Sequence, residues 1–477
     1  MTSLEPTRPE VEAWLDAVSR QVLDHIERLA EIPSVGAAGG MVLGDVSSHS
    51  LPIPETPTRG FDALLKHVMR AAELSINAAG PGYLAYIPGG GLLTAGVADL
   101  IANWVNRYTG VNAAAPAFCR LEADVIAWLA TQFGYGPSAR GLLTSGGSLA
   151  NFSAIVAARH RKLGSDGDYR DARVYTSTQA HHSVAKSVSL AGIPAKNVVA
   201  VPTDDRLRLR PDAFEDMLVR DAGARLRPFL LVSAAGTTNT GAVDPLAALS
   251  DVCERHGVWH HVDGAYGGAF ALCETGRARL QGIDRADSVT FDPHKGMFLP
   301  YGTGCLLVRD GDALRAAHRA DAPYLQDFRD DAGLPPSPTE YGPELSRDFR
   351  GLRVWLSLQL HGAAAFRAAL EEKLQLAQTL AAAIRALPSL ELVDEPQLSV
   401  VPFRPRRREN EPLEAWSART AALCKAINER GNVYMSTTRL PHPEGDVVTV
   451  RPCVLSFRTH TEQIAMAIDD ITAAAGC

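Results

Sequence analysis

Apolar residues recur at helical spacing over the opening of the chain, where Val11, Leu15, Val18, Val22, Leu23, Ile26 and Leu29 predict an amphipathic helix from Pro9 to Leu29. A proline- and glycine-rich segment, about residues 33–60, interrupts it. Helical spacing resumes at Phe61–Leu74 and again at Gly96–Arg107. Residues 1–95 therefore predict a helical arm rather than a domain with its own core.

From Arg120 the pattern becomes an alternation of short apolar runs and helical stretches. A helix through Gln132 leads to a glycine-rich turn at Ser145–Ser148 and an alanine-rich helix from Leu149 to Lys162. Strand-like runs follow at Arg173–Ser177, Val198–Pro202, Pro228–Ala234, Val258–Val262, Ser288–Phe291 and Cys305–Arg309. Apolar strands alternating with helices predict an α/β fold with a mostly parallel sheet covered on both faces, over residues 96–348. After Phe349 a helical pattern runs to Ala386, with strands at Leu390–Val393, Leu398–Arg404, Val433–Thr438 and Val447–Pro452 and a closing helix at Thr461–Ala475. This predicts a small α+β C-terminal domain over residues 349–477.

Composition narrows the possible partners. A formal charge of −7 gives no general attraction for nucleic acid or anionic lipid. The basic run Arg404, Arg406, Arg407 and Arg408 is broken by Pro405 and fits a solvated loop. The longest uncharged stretch, Leu74 to Ala98, holds two prolines and six glycines, so no membrane span is expected. Seven scattered cysteines without a CxxC pair, and an opening that carries Glu10, Glu12, Asp16 and Asp24, predict a cytoplasmic protein.

Four segments carry candidate chemistry, each at a predicted strand end or helix start, where open α/β sheets bind ligands. In Thr144-Ser145-Gly146-Gly147-Ser148-Leu149-Ala150-Asn151 a strand enters a helix through two glycines. Backbone N–H groups there can approach a phosphate, although the same residues also suit a tight turn with a serine cap. Gln179-Ala180-His181-His182 precedes a helix, and its histidine alone fits a cap as well as a ligand contact. In Trp259-His260-His261-Val262-Asp263-Gly264-Ala265-Tyr266 an aspartate closes an apolar strand and needs a cation or hydrogen-bond donors. Zinc on His256, His260 and His261 is set aside, because adjacent strand residues point to opposite faces, and no metal is expected. Ser288-Val289-Thr290-Phe291-Asp292-Pro293-His294-Lys295 places a lysine at a strand end, where partial desolvation can make it an amine nucleophile, although alone it also fits an exposed lysine in a turn.

Together these segments resemble the pyridoxal-phosphate-dependent decarboxylases of the aromatic-L-amino-acid and glutamate decarboxylase type, most clearly from Gly82 to Leu360. The resemblance implies an aspartate-aminotransferase-like large domain of fold type I, pyridoxal 5'-phosphate as cofactor, and a homodimer with shared active sites. It implies that Lys295 holds the cofactor as an imine, that His181 stacks on its ring, and that Asp263 pairs with the ring nitrogen. Ala265 would pack beneath the ring, Gly146, Gly147 and Ser148 would bind phosphate near His294, and Thr238 would lie by the phenolic edge. Asp292 stands where many relatives have asparagine. The implied reaction is decarboxylation of an L-amino acid or a derivative.

Three departures bear on the substrate and product. Tyr86, Ile87 and Pro88 resemble the family's substrate wall, but Ile87 replaces an aromatic residue. Ala78 stands where aromatic decarboxylases tend to have tryptophan, and Gly296, where a large residue is common, points the same way, toward a less aromatic and roomier pocket. Between Gln326 and Glu340 there is no tyrosine to protonate Cα, which leaves Tyr341, shifted along the loop, or a histidine such as His181. Loss of that hydroxyl keeps decarboxylation-dependent oxidative deamination to an aldehyde as an alternative, and aldol-type carbon–carbon cleavage as another. A fold-retaining pseudo-enzyme is disfavoured by Lys295, Asp263 and His181 occurring together, and no GxGxxG supports a nicotinamide site.

Overall fold

The computed structural model describes residues 4–34, 49–165, 167–319 and 335–476. Its larger sheet has seven strands: β1 (Arg140–Thr144), β2 (Ala172–Ser177), β3 (Val198–Val201), β4 (Arg227–Ala234), β5 (Trp259–Asp263), β6 (Ser288–Phe291) and β7 (Gly304–Val308). Their order is β1-β7-β6-β5-β4-β2-β3. Strands β2 to β6 are parallel to their partners among themselves. Because β7 is antiparallel to both β6 and β1, β1 also runs toward the edge where β2 to β6 end.

The strands read as unbroken apolar runs because both faces are buried. On β4, Leu230 and Val232 pack with Ala150, Ala154 and Ala157 of the helix Gly147–Leu163. Between them Leu231 faces the opposite way, onto Phe214, Leu249 and Val252 of the helices Pro211–Gly223 and Leu246–His256. One residue of register slip would exchange these two faces and lose both.

The smaller sheet, β8 (Leu390–Leu392), β9 (Phe403–Pro405), β10 (Ser436–Leu440) and β11 (Val447–Arg451), is antiparallel in the order β10-β11-β9-β8. It differs from the expectation in two strands. Of Leu398–Arg404 only the end joins the ladder, because Leu398 and Val400 pack into the large core while Val401 and Phe403 pack into the small one. Val433–Met435 do not pair with β11; Tyr434 instead exchanges backbone hydrogen bonds with Gly82 and Leu84, whose carbonyl also accepts from the Cys453 N–H. Residues 82–84, expected within the arm, are thus stitched into the C-terminal part, and burying Leu84 completely contributes about 1.5–3 kcal/mol. The helix Leu413–Glu429 was not expected, since alanines and Thr420 dilute its apolar stripe of Trp416, Leu423 and Ile427.

The helix Gly351–Ala386 kinks at Gly362, whose φ of 71° lies in the left-handed region. Its first part packs on the helices Leu93–Val105 and Pro116–Gln132, and its last part on β8 and the helix Thr461–Ala474. The arm helices Arg8–Glu27 and Phe61–Glu73 meet through stacked Trp14 and Phe61 rings. Cys119, Cys253, Cys273, Cys305, Cys424 and Cys453 are buried and unbridged.

Candidate active site

Because β1 and β4 to β6 all end at one edge, the loops that follow them converge on a cleft of about 310 Å³. Gly146, Gly147 and Ser148 form one wall at the start of the helix Gly147–Leu163. A Cβ on Gly147 would stand 3.0 Å from the Ala265 Cβ and 3.1 Å from an Asp292 oxygen, so the turn depends on glycine to sit this close. His181, Thr238, Asp263, Ala265, Asp292, His294 and Lys295 line the remainder. All ten residues expected to hold the cofactor therefore border one space, together with Asn151, Gln179, Ser183 and Tyr266.

At the end of β5, Asp263 Oδ1 accepts the Ala265 N–H at 3.1 Å and Oδ2 accepts from Asn151 Nδ2 at 2.9 Å. At the end of β6, Lys295 Nζ lies 2.9 Å from Asp292 Oδ2, and His294 Nε2 lies 3.7 Å from that same oxygen. The Asp292 side chain is only 2% exposed, and its Oδ1 is buried with no hydrogen-bond partner. His294 is pinned by its Nδ1–H to the Thr303 carbonyl at 2.8 Å. His181 caps the helix His182–Leu190, its Nδ1 accepting the Ser183 N–H at 3.3 Å. Burial lowers the affinity of His181 and His294 for protons; Asp263 partly opposes this at His181 and Asp292 at His294.

This donor set fits a phosphorylated pyridine aldehyde. It offers a helix N-terminus lined by small residues for the phosphate, a carboxylate held by two donors for a protonated ring nitrogen, and an accessible lysine for the aldehyde. The orphaned Asp292 Oδ1 leaves one buried acceptor that a bound group can satisfy.

Other expected residues lie elsewhere. Tyr86, Ile87 and Pro88 do not line this cleft: Tyr86 is exposed at φ 50°, Ile87 packs on the large core and Pro88 is buried. Their link to the site is indirect, since Gly89 abuts the Tyr301 ring and that ring lies 5.7 Å from His294. Gly296 does not widen the pocket; a Cβ there would meet the Ala269 Cβ at 2.2 Å, so the position faces the packed turn Gly267–Leu272. The loop from Gln326 lies partly outside the described residues, which resume at 335.

Tyr341 is absent from the cleft of its own chain. It is 9% exposed, packs in the cluster that includes Leu142, and hydrogen-bonds Arg140 at the opposite end of β1 from the cleft. Neighbouring turns hold it there, through Asn112 Nδ2 to the Pro335 and Pro336 carbonyls and through the Arg315–Glu340 ion pair. Tyr341→Phe is therefore expected to leave amine yield intact and to cost about 1 kcal/mol of stability, measured by product analysis and denaturant titration. A switch to aldehyde would restore the tyrosine to the chemistry.

Behind the cleft, His260 and His261 are fully buried, His260 bonded to Ser233 and Ser250 and His261 to Ser288 and Asn151. Burial depresses them to about 3 and about 4 from the ordinary value near 6.5. A depressed histidine lets the unfolded chain bind protons that the folded one refuses, so this contribution is complete above about pH 6.5 and is lost as pH falls toward 4. Lowering the pH from about 7.5 to about 5 should lower the thermal midpoint more in wild type than in His260→Gln. Equal falls would show that His260 binds protons equally in the folded and unfolded states.

The family described as a pyridoxal-dependent decarboxylase conserved domain matches residues 54–406. The chain is 35% identical to an aromatic-L-amino-acid decarboxylase of Bacillus atrophaeus over 457 residues, 95% of this chain and 93% of that protein. It is 30% identical to a phenylacetaldehyde synthase of Arabidopsis thaliana, over 76% of this chain and 75% of that one. The solved structure of Oryza sativa TDC with PLP and tryptamine superposes with a TM-score of 0.90 at 25% identity, covering 100% of this chain and 99% of that one.

Proposed function

Because this chain belongs to the pyridoxal-dependent decarboxylase family, we propose that its cleft decarboxylates an L-amino acid on pyridoxal 5'-phosphate held by Lys295. The observation that carries the residue assignment is the convergence of Lys295, Asp263 and His181 on one space. When bound, the cofactor supplies an electron sink for the pair left on Cα as carbon dioxide departs. Asp263 would hold the proton on the ring nitrogen, and Gly146, Gly147 and Ser148 would bind the phosphate with His294 nearby. Ala265, His181 and Thr238 would hold the ring. Asp292 holds the Lys295 ammonium when that amine is free.

Oxidative deamination is not favoured over simple decarboxylation, since the decarboxylase relative is both closer in sequence and matched over more of the chain than the aldehyde synthase. A panel of L-amino acids incubated under air, scored for carbon dioxide, amine, aldehyde and peroxide, tests this. Carbon dioxide and amine in equal amounts, without peroxide, are expected. Aldehyde with oxygen uptake would replace the reading with the oxidative one.

We also infer a homodimer in the cytoplasm. Trp14, Leu23, Leu64 and Val68 of the arm and Val97, Leu100, Ile101 and Trp104 of the helix Leu93–Val105 are exposed in the single chain, and such faces are buried on a second copy. Buried unbridged thiols suit a reducing compartment, and among the described residues no helix is long and apolar enough to cross a membrane. Sedimentation at assay concentration should give a dimer; a fully active monomer would overturn this.

A further inference from the structure

Asn151 has no part in the chemistry set out above, yet its side chain is buried between the two groups that flank the cleft. Its Nδ2 lies 2.9 Å from Asp263 Oδ2 and 3.2 Å from Ser183 Oγ, and its Oδ1 lies 3.1 Å from His261 Nε2. A carboxylate only accepts hydrogen bonds, so the amide nitrogen must face Asp263 and the orientation of the amide is fixed. Asn151 Oδ1 then accepts, which places the single ring hydrogen of neutral His261 on Nε2; Thr290 Oγ1 stands 3.5 Å from the same nitrogen. His261 Nδ1 accepts from Ser288 Oγ at 2.8 Å, and Ser288 Oγ accepts the Trp259 Nε1–H at 2.9 Å.

Every donor along Trp259, Ser288, His261 and Asn151 therefore points toward Asp263. The second Asn151 amide hydrogen goes to Ser183 Oγ, whose own hydrogen goes to His181 Nδ1 at 2.8 Å. That leaves the His181 ring hydrogen on Nε2. We propose that Asn151 is a positioning residue that joins His261, Asp263 and His181 in one directional hydrogen-bond relay, keeping Asp263 an oriented anion and His261 in its Nε2–H form, while at His181 the Ser183 N–H holds the same form. The proposal rests on Asp263 pairing with the ring nitrogen and His181 flanking the ring. A neutral His261 adds to it: an imidazolium there would place a second positive charge behind Asp263 and weaken its hold on the ring-nitrogen proton.

The relay makes demands that simple packing does not. In the full-length protein without cofactor, labelled with ¹⁵N-histidine, His261 should show the Nε2–H tautomer, and Asn151→Ala, which removes the acceptor of that hydrogen, should convert it to a mixture. In the holoenzyme reconstituted with ring-¹⁵N pyridoxal phosphate, Asn151→Ala should lose the protonated ring-nitrogen signal at a lower pH than wild type. Its kcat should fall about 10- to 100-fold with KM changed by no more than about twofold, the pattern of a hydrogen bond to a charged group lost during reaction. His261→Gln, which keeps a donor near the Nε2 position, should retain most of the activity, and His261→Leu should behave like Asn151→Ala.

An Asn151→Ala protein that only melts earlier, with tautomer, ring-nitrogen signal and kcat as in wild type, would reduce Asn151 to a packing residue. If Asn151→Ala does not fold, the His261 pair decides, and equal spectra and rates in Gln and Leu variants would sink the relay. Failure of the functional reading itself would look different, with turnover surviving Lys295→Ala while the His261 tautomer of the cofactor-free chain still depended on Asn151.

Discussion

Lys295→Ala is expected to abolish decarboxylation and, with it, the yellow absorbance of bound cofactor. The reason lies in position rather than in the residue type. Lys295 is the lysine that borders the cleft, at the end of β6, where the turn Asp292–Gly296 presents its amine to the space shared with Asp263 and His181. Lys373, by contrast, is fully buried and tied to Glu372 and the Thr459 carbonyl. Removing a catalytic nucleophile costs several orders of magnitude in kcat because no other group can make the bond. Borohydride treatment of the holoenzyme, followed by peptide mapping, gives a readout independent of turnover: reduction should fix the cofactor on the peptide containing Lys295 in wild type and on no peptide in the variant. Fixation on another lysine, or retained turnover, would remove the assignment.

The part of the fold that carries this lysine was legible because its strands are buried on both faces. A strand such as β4, apolar at Leu230, Leu231 and Val232 alike, leaves the same mark in any sequence that must satisfy two cores. The candidate residues were legible for a related reason: Asp263, Asp292 and Lys295 are polar groups placed at the ends of such runs, where burial has a cost that only a partner or a ligand offsets. What failed depended on distant pairing. Gly82–Leu84 reads as part of an arm because nothing local shows that Tyr434 and Cys453 take their backbone bonds. Tyr341 reads as available to the chemistry because the contacts that bury it away from its own chain's cleft involve Arg140, Asn112 and Arg315, none of them near in sequence. Gly296 suggested space, whereas its missing side chain admits Ala269.

Asn151 and His261 show the same limit inside the site. Both stood in segments that carried candidate chemistry, but a relay that crosses from the helix Gly147–Leu163 to β5 is visible only once the sheet brings them within hydrogen-bond reach. A buried asparagine one turn into a helix, where its side chain competes with the backbone, is the local sign that such a partner exists.

Asp263 then offers the second large effect, and two variants separate its charge from its bond to the Ala265 turn. In Asp263→Asn the side-chain oxygen can still accept the Ala265 N–H, which the wild-type carboxylate holds at 3.1 Å, so the end of β5 keeps its shape. What would be lost is the negative charge that keeps a proton on the ring nitrogen, and with it the electron sink, together with the Asn151 hydrogen bond, because the new amide nitrogen faces Asn151 Nδ2. In Asp263→Ala both the charge and the acceptor go. Cofactor should remain fixed to Lys295 in each, because that bond is made by Lys295 and not by Asp263. Turnover should fall at least about a hundredfold in each, since electrostatic stabilisation of developing charge is worth at least that much in a closed site. If the asparagine variant were instead near normal and only the alanine variant impaired, Asp263 would be an anchor for the Ala265 turn, and the proton on the ring nitrogen would have to be held by another group.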